Sequence, residues 1–435
     1  MKMFLKRLLA VTLTLTIFTL TAGCGGQNGN TAISSPAPLV GSDFVYSSSN
    51  ISSTPKSQTD ESKDQNSNFT LQGVWLSCFE MPFMWYDKTV SNKKIDDIMK
   101  ALKGRGYNAV FCHVRPYADA LYPSKYFPYS KYASGTAGKS PGYDPLKVMI
   151  TAAKKYGLQF HAWVNPYRVT KAGEGQEAIA AGSIAKTWLT DGSDRAVKTG
   201  AGVYFNPSSR DVQKLILNGI KEILNNYKVD GIHFDDYFYP TTDESFDQRF
   251  YNKYKSGTKS PLKLDDWRRA NVSALVSSVY KACKKRGVAF GISPAGDISL
   301  NKTDRNYKTL YADIPLWLSN KGYVDYIIPQ IYFGYNHPIK KAQYLNLLNI
   351  WTSLPRHSSI KLYIGLGAYK MDGGYDDSAE WRSDSTILAR QVTDAYNKGM
   401  SGAVVFSCTA ALNQNTHYKN QMNNMLKAIK NIRSK

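Results

Sequence analysis

From residue 71 onward the chain alternates short apolar runs with helical patterns, and the alternation repeats eight times. No other feature limits the fold as much. The apolar runs are GVWLSC (73–78), YNAVFCHVR (107–115), LQFHAWVN (158–165), VDGIHF (229–234), VAFGIS (288–293), VDYIIPQIYF (324–333), KLYIGLGAY (361–369) and GAVVFS (402–407). An amphipathic stretch from Ile95 to Leu102 follows the first run. YDPLKVMITAAKKYG reads as a helix with Asp144 as N-cap, Pro145 in the first turn and Gly157 as C-cap. In SSRDVQKLILNGIKEILNNY, residues Val212, Leu215, Ile216, Ile220, Ile223 and Leu224 recur at helical spacing. WRRANVSALVSSVYKACKKRG is a further helix. Eight such units within residues 70–435 predict a (β/α)8 TIM barrel. A doubly wound open sheet would need a phosphate-binding loop after the first strand, and CFEMPFMW supplies none.

In a barrel of this kind the strand C-termini and the loops after them build the site. VDGIHFDDYFYP (229–240) is then the pivotal stretch, because an apolar run ends on two adjacent carboxylates. Strand alternation turns Gly231, His233 and Asp235 into the barrel, and Ile232 and Phe234 toward the helices. Asp236 points sideways, where it can orient Asp235 or cap the loop. The same parity turns His113 and Arg115 inward from the second strand, and His161, Trp163 and Asn165 from the third. Ser293 follows from the fifth, Gln330 and Tyr332 from the sixth, and Tyr369 from the seventh. Plainer readings exist for several of these. His113 and His233 could be satisfied core histidines, Arg115 could pair with Asp235, and Trp163 and Tyr332 could be packing. Their convergence from at least five strands carries more weight than any one of them. Aromatic residues follow many strand ends: Trp85, Tyr117, Tyr122, Tyr167, Tyr237, Phe238 and Tyr239. With 30 Tyr and 8 Trp in the chain, an aromatic-lined cleft is expected, and the apolar face of a sugar ring stacks on such residues.

The N-terminus reads as an export signal. MKMFLKR is basic, and LLAVTLTLTIFTLTA is apolar but short for a membrane span. LTAGC resembles a bacterial lipobox with Cys24 as the lipidated residue, although Thr21 stands where leucine is usual. Residues 1–23 are thus expected to be a lipoprotein signal peptide. Residues 24–69 are rich in Ser, Asn, Thr and Gly and too poor in apolar residues to fold, so a disordered tether is expected. That arrangement would hold the domain at 70–435 on the extracytoplasmic face of the cell membrane. The net charge is +21, or 21 − 3 = +18 once Lys2, Lys6 and Arg7 are removed with the signal. Such a balance suits an anionic partner such as a membrane surface or cell wall. No basic run interleaved with aromatics marks a nucleic-acid groove, and none is expected as partner. The cysteines after Cys24 (Cys78, Cys112, Cys283 and Cys408) lack CxxC spacing and sit in apolar contexts. They read as core residues, with a Cys78–Cys408 bridge open if the first and last strands are neighbours.

GVWLSCFE, HVRPYADALYPS, HAWVNPYR, FNPSSRDV, VDGIHFDDYFYP, WRRANV, FGISPAG and IPQIYF occur in an order that resembles the bacterial glycosyl hydrolase-like family 10, TIM-barrel proteins that are often lipoproteins. The resemblance runs from about residue 70 to 430. It implies an exported glycosidase acting on cell-wall glycan or a related polysaccharide. One division-associated member of the family cleaves peptidoglycan glycan strands stripped of stem peptides.

Glycoside hydrolysis normally needs two carboxyl groups flanking the bond. Asp235 is the expected acid/base. The second group is open between Asp236, Glu80 after the first strand and Asp119 in the second βα-loop. Asp297 in the fifth loop is a weaker candidate. Substrate-assisted cleavage would need only one acid. DGIHFDDY is loosely similar to the fourth-strand motif of chitinase-like enzymes, but their glutamate position falls on Tyr237. Arg115, His113, Asn165, Tyr167, Arg168, His233, Tyr237, Gln330, Tyr332 and Tyr369 are the expected sugar-binding residues. The six histidines show no metal-ligand spacing, so neither metal nor cofactor is expected, and a metal-dependent deacetylase is disfavoured. A monomer is expected. The opposing reading is a lipid-anchored glycan-binding protein without turnover.

Overall fold

The computed structural model describes residues 69–372 and 379–434. The expected signal peptide, the lipidation site Cys24 and the tether lie outside the described residues, apart from Phe69. Phe69 is already part of the folded domain, buried and edge-on to the Tyr396 ring at 6.3 Å.

Eight parallel strands form the barrel. They are Leu71–Leu76, Ala109–Arg115, Gln159–Val164, Gly231–Phe234, Ala289–Ile292, Tyr326–Ile327, a seventh in two pieces (Lys361–Leu362 and Ile364–Gly367), and Gly402–Phe406. Each pairs in parallel with its neighbours in chain order. The seventh strand closes the ring. Its first piece pairs with the sixth strand, its second with the eighth, and the eighth returns to the first. The sixth strand is shorter than the run VDYIIPQIYF suggests. Pro329 has no N–H for the ladder, yet Gln330 N donates to Pro294 O at 3.0 Å, which keeps the chain aligned past it.

The helix starts follow local chemistry. Asp87 accepts from Thr89 N and Val90 N to open Lys88–Gly104, which buries Ile95, Met99 and Leu102. Asp144 accepts from Lys147 N ahead of Pro145–Lys155, and Gly157 follows the helix with φ 64. Helix Arg210–Asn226 buries Val212, Ile216, Ile220 and Ile223 against the strands.

The barrel interior is filled in alternating large and small steps. Trp75, Phe111, Trp163, Tyr326, Ile328 and Val404 form a cluster separate from the larger strand–helix core. Gly231 and Gly291 make room for it. A Cβ at Gly231 would collide with the His161 ring, and one at Gly291 with the Tyr326 ring. His233 sits in this layer, 0% exposed. Its Nε2 lies 3.2 Å from Trp75 Nε1 and 3.0 Å from Ser293 Oγ, and its Nδ1 3.3 Å from Tyr326 Oη.

Two long βα-loops crown the barrel. The third carries a helix, Ile184–Thr190, and an antiparallel hairpin, Ala196–Thr199 with Gly202–Phe205. The fourth is pinned by a fully buried ion pair. Arg268, in helix Leu264–Lys284, grips Asp247 through Nε and Nη2 at 2.6–3.2 Å. Arg268 also donates to Thr242 O, Asp243 O and Tyr311 Oη, while Tyr239 Oη donates to Asp247 at 3.0 Å. The segment that begins with the two adjacent carboxylates is thereby fastened to the helix layer. Removing one partner of such a pair leaves an uncompensated buried charge. Arg268→Leu is expected to cost roughly 3–5 kcal/mol in urea unfolding. An unchanged unfolding midpoint would show that the clamp is dispensable.

Candidate active site

The fourth strand ends at Phe234, so Asp235 is the first residue past the ladder at the C-terminal mouth of the barrel. The residue is 3% exposed. Oδ2 accepts from Trp163 Nε1 at 2.9 Å and from Asn165 Nδ2 at 3.2 Å. Both donors stand on the third strand or directly after it, and strands three and four are paired in register. Tyr237 N adds a weak contact to Oδ1 at 3.4 Å. Burial raises the Asp235 pKa, the charge of Asp236 raises it further, and the Trp163 hydrogen bond and the charge of Arg168 only partly oppose this, leaving it at about 7. A buried carboxyl held near neutrality can both give and take a proton.

Asp236 is partly exposed. Burial also raises its pKa, opposed first by the charge of Arg305. Gln330 Nε2, which donates to Ser293 O at 2.8 Å, reaches Asp236 Oδ1 at 3.4 Å. Arg168 lies with its guanidinium carbon 4.2 Å from the Tyr237 ring centre and 5.1 Å from that of Tyr117. Its backbone N–H donates to Asn165 Oδ1 at 3.1 Å, so one asparagine positions both Asp235 and Arg168. His113 stacks on Trp163 with ring centres 3.8 Å apart. Tyr332, Tyr369 and Phe406 form an aromatic group on the opposite strands, with ring centres 5.8–5.9 Å apart.

The structure therefore brings together Asp235, Asp236, His113, Asn165, Arg168, Tyr237, Gln330, Tyr332 and Tyr369. Five expected site residues stand elsewhere. Arg115 does not face the barrel interior. The second-to-third strand register shifts between His113 and Arg115, and this bulge turns the side chain outward. Its guanidinium carbon lies 4.4 Å from the Phe127 ring centre, and a Cβ on Gly219 of helix Arg210–Asn226 would come within 3.1 Å of Nη1. It donates to Asn165 O and Pro166 O, forms no ion pair with Asp235, and burial lowers its pKa to about 10. Tyr167 is fully buried with its ring edge-on to Phe238, so it cannot meet a substrate. His233 is a core histidine beneath the site, as its hydrogen bonds show.

Glu80 is a clamp between strand ends. One oxygen accepts from Ser77 N at 2.8 Å, and the other from Ser407 Oγ and Thr409 N, both at 2.6 Å. Asp119 is turned back into its own loop, accepting from Tyr117 N at 3.1 Å, with its pKa raised by burial to about 6. Of the aromatics that follow strand ends, Tyr122, Phe238 and Tyr239 are core residues, while Tyr237 is partly exposed and Trp85 exposed. The cysteines Cys78, Cys112, Cys283 and Cys408 are buried free thiols, so the Cys78–Cys408 bridge is absent although the first and eighth strands are neighbours.

Two contributors went unread in the sequence. Tyr204, on the hairpin, bridges to Arg168 through the backbone and lies within electrostatic reach of Asp235 and Asp236. The charge of Arg305, in the fifth βα-loop, acts on Asp236. A hairpin signal was available in TGAG (199–202), two glycines between short alternating runs. Gly202 takes φ 107, and a Cβ there would strike Lys171 O.

Fold and site together define a (β/α)8-barrel protein of glycosyl hydrolase-like type, with its carboxylates at the strand C-termini. The chain belongs to the Glycosyl hydrolase-like 10 family, which matches residues 70–383. It is 38% identical over 319 residues to Glycosyl hydrolase YngK of Bacillus subtilis (strain 168), covering 69% of this chain and 59% of that protein's own length. It is 32% identical over 381 residues to Glycosyl hydrolase DigH of Escherichia coli (strain K12), covering 79% of this chain and 84% of that one. Among solved structures, the PgaB (BpsB) glycoside hydrolase domain from Bordetella bronchiseptica aligns with a TM-score of 0.51 at 11% identity, over 82% of this chain and 98% of that one. The catalytic domain of a beta-amylase from Paenibacillus polymyxa aligns at 0.53 and 11%, over 82% and 97%. At such identity these two establish the fold alone.

The raised Asp235 pKa has a consequence for stability. Between the ordinary carboxylate range near 4 and about 7, the folded state holds a proton that the unfolded chain releases. Stability from this group is therefore full at low pH and declines as pH rises through that window, by at most about 4 kcal/mol. Asp235→Asn removes the titration. Its unfolding free energy relative to wild type is expected to improve from pH 4 to about pH 7 and to level off above that. A difference that does not vary with pH would contradict the raised value.

Proposed function

We propose that the protein is an exported glycoside hydrolase that cleaves cell-wall glycan strands, or a related polysaccharide, with Asp235 as general acid/base. The observation that carries this reading is Asp235 itself: a carboxyl at the barrel mouth, held by Trp163 and Asn165, with its pKa raised to about 7. Family membership and the curated relatives named glycosyl hydrolases support it.

In this mechanism protonated Asp235 gives its proton to the leaving glycosidic oxygen as the bond to the anomeric carbon breaks. A water then adds to that carbon and yields its proton to a carboxylate. Asp236 fits the second role: burial raises its pKa, while the charges of Arg305 and Arg168 and the Gln330 contact oppose that shift. Two adjacent acids resist ionising together, which keeps one as acid while the other is base or stabiliser. Tyr237, Tyr332 and Tyr369 would offer faces for the sugar rings, and His113, Arg168 and Gln330 would bind their polar groups. Export and anchoring through a lipid on Cys24 complete the proposal, on the strength of the N-terminal sequence.

A glycan-binding protein without turnover is the competing reading. The engagement of both Glu80 oxygens favours it, since one candidate second carboxylate is thereby withdrawn. Purified protein incubated with peptidoglycan glycan strands, with and without stem peptides, separates the two by mass spectrometry of the products. New reducing ends are expected with wild type. With Asp235→Asn the rate should fall roughly 10²–10⁴-fold while strand binding stays within about threefold. Strands that co-sediment with wild type yet stay intact would establish the binding protein instead.

A further inference from the structure

Two arginines above the barrel, Arg268 and Arg168, are used differently. Arg268 has its charge matched by Asp247 and its remaining donors engaged. Arg168, beside the site, has no carboxylate oxygen within salt-bridge distance among the described residues, and its buried Nε has no hydrogen-bond partner. Its position is nonetheless built. The backbone is tied to Asn165 and Tyr204, and the guanidinium lies over the rings of Tyr117 and Tyr237. A stacked guanidinium keeps its plane while its edge donors stay free.

A second observation lies in the same corner. His113 is 6% exposed, and neither ring nitrogen has a hydrogen-bond partner among the described residues. Buried polar atoms left unmatched call for a ligand or water. The ring is fixed by its stack on Trp163, the residue that donates to Asp235. Burial and the charge of Arg168 both keep this imidazole neutral, so it presents one N–H donor and one acceptor.

We infer that Arg168 and His113 form an anionic subsite that takes a free carboxylate on a sugar unit next to the cleaved bond. This deepens the function proposed above and rests on it for the position of that bond. A planar guanidinium can set two parallel N–H donors against the two oxygens of a carboxylate. The link through Asn165 makes the subsite a ruler: a carboxylate seated on Arg168 sets which glycosidic oxygen meets Asp235.

The test uses two probes, peptide-free peptidoglycan glycan strands with free lactyl carboxylates, and the same strands after carbodiimide amidation of those carboxylates. Affinity and kcat/KM are measured for wild type, Arg168→Gln and Arg168→Lys, with unfolding midpoints recorded for each. Wild type is expected to prefer the free carboxylate by roughly 10–100-fold. In Arg168→Gln that ratio should collapse to within about threefold of unity, and Arg168→Lys should fall between, since it keeps charge but loses the fork. Equal handling of both probes by wild type, or an undiminished preference in Arg168→Gln, overturns the subsite. Carboxylate-dependent binding without cleavage would sustain the subsite and sink the hydrolase reading. Cleavage without carboxylate dependence would do the reverse.

Discussion

Closing eight parallel strands into one ring leaves a side chain two directions, into the barrel or out toward the helices, and the rest of this structure depends on that choice. The closure rests on the seventh strand, whose two pieces serve different neighbours. Once the ring is shut, inward residues stack in layers. Trp75, Phe111, His233 and Tyr326 occupy the middle. Asn165 and Asp235 stand above them at the mouth, where the ladder hydrogen bonds end, and Trp163 links the interior cluster to Asp235. Glycines at 231 and 291 allow the aromatic layer to fill the axis without overpacking.

That packed layer is also what gives Asp235 its chemistry. A carboxylate floored by aromatic rings loses most of its hydration, and the two hydrogen bonds it receives do not replace it fully. The fold holds an acid that would rather be neutral beside another carboxylate and an arginine, Arg168, that has no carboxylate partner among the described residues. Such arrangements are unfavourable for stability and persist where the surroundings over-determine them. Here the surroundings are the Arg268–Asp247 clamp on the fourth loop and the Glu80 clamp between the first and eighth strand ends. Both acids read as structural ties once their partners are known, and neither could be told from a catalytic acid by residue type alone.

Much of the site was legible because period-two alternation survives into the structure for most strands. His113, Trp163, Asn165, Asp235, Gln330 and Tyr332 all fall on the expected side. Arg115 fails for a local reason: one extra residue in a bulge reverses parity, and a bulge leaves no mark in a seven-residue apolar run. Tyr167 and Phe238 fail because an aromatic residue past a strand end can pack under a loop as readily as line a cleft. Tyr204 was missed because its hairpin is an insertion outside the repeating pattern.

The sequence by itself determined the eightfold alternation, the helix caps at Asp144 and Gly157, the acid pair after the fourth strand and the family. These are local or repetitive signals, set by backbone hydrogen bonding and by which residues avoid water. Only the tertiary structure decided which carboxylates are free to act, that Arg168 lacks a carboxylate partner among the described residues and which histidine is satisfied. Those properties belong to pairs of residues far apart in the chain, such as Trp163 with Asp235, Glu80 with Ser407 and Asp247 with Arg268. The energy of a charge depends on what the fold has placed within a few ångströms of it, and that neighbour is not written beside it in the sequence.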